Sequence, residues 1–350
     1  MHLSDLEQRR KRVLELIIEA YVSTASPVGS ELVARKLHSS LSPATIRHIM
    51  GDLEEAGFLE QPHTSSGRRP TDQGYRFYVD TVMEAHRLPL EMQQQLAASL
   101  QGREFHLEQL LERAIAALAE LTHQAAFVVV PTVKHSTVKQ IEFVPLSVRK
   151  VLCVLVASEE MVASHIVEID EPLTRDETAA LARFINTELV GLSFSELLGS
   201  LERRILSEHD AFYHMVKRSL DILQHALSIE PDERFLLEGT SYVVTQPEFS
   251  QDPRKAHEVL RGLDREDLLL ERIRQDIPPR GVRVRIGQEV QVPGLQECSY
   301  LTAPFVIAEE VVGGIGILGP KRMDYPRVYA LVEGMASCMT DVLGHWDEPR

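Results

Sequence analysis

Cysteine, aromatic residues, long apolar runs and any excess of positive charge are all scarce in this chain. The three cysteines, Cys153, Cys298 and Cys338, are odd in number and far apart, which excludes a disulfide framework and any CxxC metal or redox pair. They read as buried apolar fillers. No run approaches the roughly 18 apolar residues that a membrane span needs. The start, "MHLSDLEQRRKRVLELIIEA", has no uncharged core ahead of a small-residue cleavage site, so the expected location is the cytoplasm. Catalytic signatures are missing as well: there is no HExxH, no GxSxG and no P-loop. His209, His214 and His225 share a helical stretch, but spacings of 5 and 11 do not put them on one face as i, i+4 metal ligands would be. The expectation is a protein that is not an enzyme and carries neither metal nor cofactor.

The formal net charge of -15 argues on average against a large nonspecific nucleic-acid or membrane surface. That charge is unevenly placed. Residues 1–90 hold 11 Lys and Arg against 12 Asp and Glu, and the remaining residues hold 26 against 40. A near-neutral head on an acidic body suits a DNA binder that avoids clinging to random sequence. With 350 residues, two or three domains are expected.

The head opens with a helix in which Val13, Leu14, Ile17, Ile18 and Tyr21 recur at helical spacing, with Arg9, Arg10, Lys11 and Arg12 near its start. Pro27 and Gly29 break the chain, and Ser30 caps a short second helix. "SPATIRHIMGDLEEAG" has the clearest boundaries: Ser42 as N-cap, Pro43 at the first helical position and Gly57 closing the C-terminus. Ile46, Ile49, Met50 and Leu53 form its inner stripe. Thr45, Arg47 and His48 then lie outward on a face of small and hydrogen-bonding residues, which lets a helix enter a major groove closely. Two short helices with a tight link read as a helix-turn-helix.

"GFLEQPHTSSGRRPTDQGYRFYVD" supplies a wing. Phe58 and Leu59 begin a strand, the loop His63, Thr64, Ser65, Ser66, Gly67, Arg68, Arg69 is rich in hydroxyls and cations, and the chain returns into a helix. Such a tip can grip phosphates, and Arg68 or Arg69 can enter a narrow minor groove. The DNA-binding set expected from this pattern is Ser42, Thr45, Arg47, His48, His63, Thr64, Ser65, Ser66, Arg68 and Arg69, with Thr45, Arg47 and His48 reading bases.

"SPVGSELVARKL", "LSPATIRHIMGDLEEAGFLEQPHTSSGRRPTDQGYRFYVD" and "GGIGILGPKRMDYPRVYALVEGMASCMTDVL" together resemble the heat-inducible transcription repressor HrcA family of bacteria, over nearly the whole chain. The resemblance implies a homodimeric repressor of chaperone operons that binds an inverted-repeat operator called CIRCE and needs the GroEL chaperonin to stay active. It also implies an α+β multidomain fold: a winged-helix head, a GAF-like antiparallel-sheet domain, and a largely helical dimerising domain inserted into the latter. Two residues depart from the family pattern, His48 where Asn is usual and Ala25 where Gly is usual.

Beyond Arg87, leucines at helical spacing form a connector broken at Gly102, either a core helix or a spacer between two heads. "AAFVVVP", "VKQIEFVPLS", "KVLCVLVAS" and "VASHIVEID" read as strands, divided by turns such as Ser158-Glu159-Glu160, and "VRVRIGQEV", "CSYLTAPF" and "GGIGILG" as later ones. The expected layout is a winged-helix domain over 1–87, a connector over 88–122, the GAF-like domain over 123–171 and 278–345, and the inserted dimerising domain over 172–277. Gly314, Gly316 and Gly319 match GxGxxG, but Ile315 and Ile317 alternate with glycine as in a strand, which favours a tight strand over a phosphate loop. A small-molecule sensor acting through the GAF-like domain is the competing function, and a surface for the chaperonin is a third that rests on resemblance alone.

Overall fold

The computed structural model describes all residues except 1–2, 38–40, 64–65, 83–87, 101–106, 132–137, 157–161, 189–190, 208–210, 230–232, 308–309 and 347–350. The expected break at Gly102, the turn at Ser158 to Glu160 and His209 lie outside the described residues. The chain is α+β, with antiparallel pairing in its sheets, and it divides into two compact units. Among the described residues no helix is long and apolar enough to cross a membrane.

The first unit begins with α1 (Leu3–Thr24), α2 (Ser30–Leu37) and α3 (Pro43–Glu55), followed by a two-stranded ribbon, β1 (Leu59–Glu60) and β2 (Arg69–Pro70). Val13, Leu14, Ile17 and Ile18 of α1 are at most 1 % exposed, each contributing about 1.5–3 kcal/mol of transfer free energy. The expected α3 stripe of Ile46, Ile49, Met50 and Leu53 is buried. After the ribbon, α4 (Asp72–Phe77) runs into a π-turn (Tyr78–Val82); α5 (Leu90–Ser99) and α6 (Leu107–Thr122) follow.

β3 (Ala125–Pro131), β7 (Glu233–Glu238), β8 (Arg283–Ile286), β9 (Cys298–Ile307) and β10 (Glu310–Pro320) form a five-stranded sheet in the order β7-β3-β10-β9-β8. Four helices between β7 and β8, α10 (Thr240–Val244), α11 (Pro247–Ser250), α12 (Pro253–Leu263) and α13 (Glu266–Asp276), supply Val243, Phe249, Leu263 and Ile273 to a core with Phe127 and Tyr300 of the sheet. Outside that core, α14 (Tyr325–Trp346) packs on β9 and β10. Gly314 and Gly316 lie inside β10, opposite Val129 and Phe127 of β3. A Cβ at Gly316 would overlap the Leu301 carbonyl and the Phe127 ring, so these glycines serve close packing within the sheet.

The second unit spans Val130–Arg234 together with Glu104–Leu110. Its strands β4 (Gln140–Ser147), β5 (Lys150–Val156) and β6 (Val162–Glu168) form their own antiparallel sheet. Ile141, Phe143, Cys153, Leu155 and Val167 pack with Phe184, Ile185, Leu197 and Leu223 of α7 (Arg175–Glu188), α8 (Phe194–Ser207) and α9 (Ala211–Ile229). The compact units fall at limits other than the expected 123–171 and 172–277. The strands over 140–168 pair in sequence through short connections rather than with β3, and α10 to α13 belong to the five-stranded sheet. An alternating strand pattern states that one face is buried but not which sheet the strand joins.

Within the first unit, polar contacts fix α4 to the sheet. Asp72 accepts from Lys321 Nζ at 2.8 Å and from the Gln288 N–H at 3.1 Å. Arg76 donates to Glu289 at 2.9 Å and to the Val284 carbonyl at 2.7 Å. Arg322, whose side chain is 13 % exposed, bonds Glu248 and the Val22 carbonyl.

Candidate nucleic-acid interface

The helix α3 is terminated at both ends by the residues expected to do so. Ser42 Oγ accepts from the Thr45 N–H at 3.1 Å and lies 2.9 Å from Thr45 Oγ1. At the other end the Gly57 and Phe58 N–H groups return to the carbonyls of Glu54 and Leu53, both at 2.9 Å, closing the helix by paired end bonds. With the inner stripe buried, Thr45, Arg47 and His48 share the exposed face. Arg47 has no partner among the described residues. The His48 side chain is 83 % exposed, with Nε2 3.9 Å from Asp52 Oδ1, while Arg10 of α1 donates to Asp52 Oδ2 at 2.7 Å. This turn of α3 therefore presents hydrogen-bonding groups outward, backed by one carboxylate.

The ribbon is held on a third stretch of backbone. Val28 and Arg68 exchange N–H to carbonyl bonds of 2.8 and 2.9 Å, and a Cβ at Gly67 would overlap the Val28 backbone, so only glycine permits that approach. His63 is exposed at the tip, and Ser66 is turned inward: its hydroxyl donates to the His63 carbonyl at 2.7 Å and accepts the His63 N–H at 3.0 Å. Thr64 and Ser65 lie outside the described residues.

The two wing arginines differ. Arg68 is clamped by Glu54 of α3, Nε at 2.9 Å and the second nitrogen at 2.8 Å, with its side chain 18 % exposed. Arg69 is 41 % exposed and donates to Glu60 at 2.7 Å. Burial alone would lower the Arg69 pKa, but the bond to Glu60 raises it, so the group stays cationic while available to a phosphate. Of the expected residues, Ser42, Thr45, Arg47 and His48 come together on α3, while His63, Ser66, Arg68 and Arg69 come together on the ribbon. Sequence reasoning missed the carboxylates Asp52, Glu54 and Glu60 that hold Arg10, Arg68 and Arg69. The signal was the near balance of acids and bases in residues 1–90.

Comparison with known proteins adds to this geometry. The model of the family described as HrcA protein C terminal domain matches residues 108–329. The heat-inducible transcription repressor HrcA of Moorella thermoacetica is 34 % identical over 339 residues, covering 97 % of this chain and 98 % of that protein. Its namesake in Acetivibrio thermocellus is 35 % identical over 346 residues, covering 96 % of each. A crystal structure of a hypothetical protein shares the fold, with a TM-score of 0.61, 22 % identity and coverage of 97 % of this chain and 99 % of that one. The relatives matched over nearly the whole chain are named as heat-inducible transcription repressors, and they define the class as transcriptional repressors of the heat response. The chain belongs to the HrcA family.

Proposed function

We propose that this protein is a DNA-binding transcriptional repressor of the heat response, not an enzyme, that reads an inverted-repeat operator of the CIRCE type at chaperone operons as a homodimer in the cytoplasm. The observation that carries the reading is the outward face of α3, where Arg47 is unpaired among the described residues beside exposed Thr45 and His48. In this reading α1 to α3 and the β1-β2 ribbon are a winged helix-turn-helix, α3 lies in the major groove, and the tip from His63 to Ser66 with Arg69 follows the phosphates. The five-stranded sheet with its helices is the GAF-like body. The second unit is the dimerising part, a role supported by Val144, Leu146 and Ile166, which are 44 %, 51 % and 54 % exposed on its sheet. Activity is sustained by a GroEL-type chaperonin.

The deciding experiment titrates the purified protein, with and without chaperonin, against a labelled inverted-repeat duplex and a scrambled duplex at two salt concentrations. Tight, salt-sensitive preference for the repeat, improved by chaperonin, is the expected result. Equal binding to both duplexes sinks it.

A further inference from the structure

A cleft of 690 Å³ lies in the first unit between α4 with its π-turn and the chain entering β8. Arg76, Arg280, Arg283 and Arg285 line it, against two lining carboxylates, Asp80 and Glu289. That is a local excess of two positive charges in a body that carries the acidic surplus of the chain.

The four guanidinium groups are not equivalent. Arg76 is engaged by Glu289, Asp80 and the Val284 carbonyl. Arg285 is chelated by Asp276, a carboxylate 2 % exposed that also accepts from the Tyr300 hydroxyl and lies 3.5 Å from Arg283 and 3.4 Å from Arg272. Three arginines around one buried carboxylate are held in place without being neutralised. Arg280 is exposed and has no partner among the described residues. Gly281, at φ +72°, reverses the chain between Arg280 and Arg283, and the Tyr329 hydroxyl stands 4.0 Å from where its Cβ would be.

We propose that this cleft binds a small polyanion bearing phosphate or carboxylate groups, gripped by the forks of Arg280 and Arg283 on a wall set by Arg285 and Asp276. The volume lies within the roughly 300–1,000 Å³ range of small-molecule sites, and planar forks suit such oxygens better than ammonium groups do. The opposite wall is Arg76, which belongs to the helix following the ribbon and is tied to Glu289 beside β8. An occupant therefore sits across the joint between head and sheet and stabilises it as bound.

The inference is independent of the DNA reading, because the melting arms of its test contain no DNA. The full-length protein is melted at constant ionic strength in chloride and then in pyrophosphate, citrate or a nucleoside triphosphate, alongside the Arg280→Gln, Arg283→Gln double variant. The expected result is a rise of roughly 2–4 °C with at least one of these anions, abolished in the double variant, each protein being compared with its own melt in chloride. No rise with any of the three, or an equal rise in both proteins, overturns the proposal. A third arm measures binding to random duplex DNA. If the double variant loses affinity and salt dependence there while the anions have no effect, these arginines are backbone contacts and the anion site does not exist.

Discussion

Glu54 in the last turn of α3 and Arg68 at the base of the ribbon form a two-pronged ion pair, with contacts of 2.9 and 2.8 Å. The element proposed to read bases and the element proposed to follow the backbone are therefore joined by one bond pair. Arg68→Ala is expected to lower stability by about 1 kcal/mol in urea unfolding, and Arg68→Lys to restore part of it, because both guanidinium nitrogens meet one oxygen, Glu54 Oε2, which a single ammonium can also contact. If Arg68→Ala leaves stability unchanged and weakens DNA binding alone, the arginine belongs to the nucleic acid and not to the brace.

Arg47 is the complementary case. With no partner to lose among the described residues, Arg47→Ala should leave the unfolding curve in place while reducing discrimination between repeat and scrambled duplex by about 1–3 kcal/mol. Competition titrations measure this directly. Equal loss on both duplexes would assign Arg47 to phosphate.

Ala25 follows α1 at φ +53°, and its N–H returns to the Tyr21 carbonyl at 2.9 Å. A left-handed L-residue costs about 1–2 kcal/mol, and glycine forfeits about 0.5–1 kcal/mol of that gain through chain entropy. Ala25→Gly is expected to stabilise the protein by about 0.5–1 kcal/mol, read as a higher melting temperature. A lower melting temperature would mean that the strain is relieved elsewhere.

Arg322 is surrounded by Glu248, Gln246 and the Val22 carbonyl. Removing it strands a largely buried carboxylate, and Arg322→Ala should cost about 2–3 kcal/mol. Denaturant titration checks the value, and a double variant with Glu248→Gln should recover part of it.

Asp276 gives a pH signature. Burial alone would raise its pKa, but hydrogen bonds from Arg285 and Tyr300, with the charge of Arg272, bring it below the usual carboxylate range. A depressed folded pKa contributes stability that is complete above the unfolded value of about 3.9 and is lost as pH falls through the folded value. Asp276→Asn should therefore lower stability at neutral pH and flatten the acid limb of a melting profile. An unchanged acid limb would show that other carboxylates govern it.

The limits of α3, its inner stripe and its outward residues were legible in the sequence because caps and periodicity are local. The strand character of Gly314 and Gly316 was legible for the same reason. The assignment of β4, β5 and β6 to their own sheet was not, since strand partners are chosen by packing across the chain. Nor were the clamps on Arg68 and Arg69, whose partners lie 14 and 9 residues away: Glu54 meets Arg68 only once helix and ribbon have docked, and Glu60 meets Arg69 only once β1 and β2 have paired.

The main segment of the second unit, Val130–Arg234, leaves the five-stranded sheet after β3 and rejoins it at β7, and those two strands are neighbours. The exit and return points are thus already stitched together by the host sheet. To the host, the roughly hundred residues between them are one closed loop, whose entropic cost grows only with the logarithm of its length. Evolution could therefore lengthen, trim or exchange the guest while the sheet beneath the head kept its register.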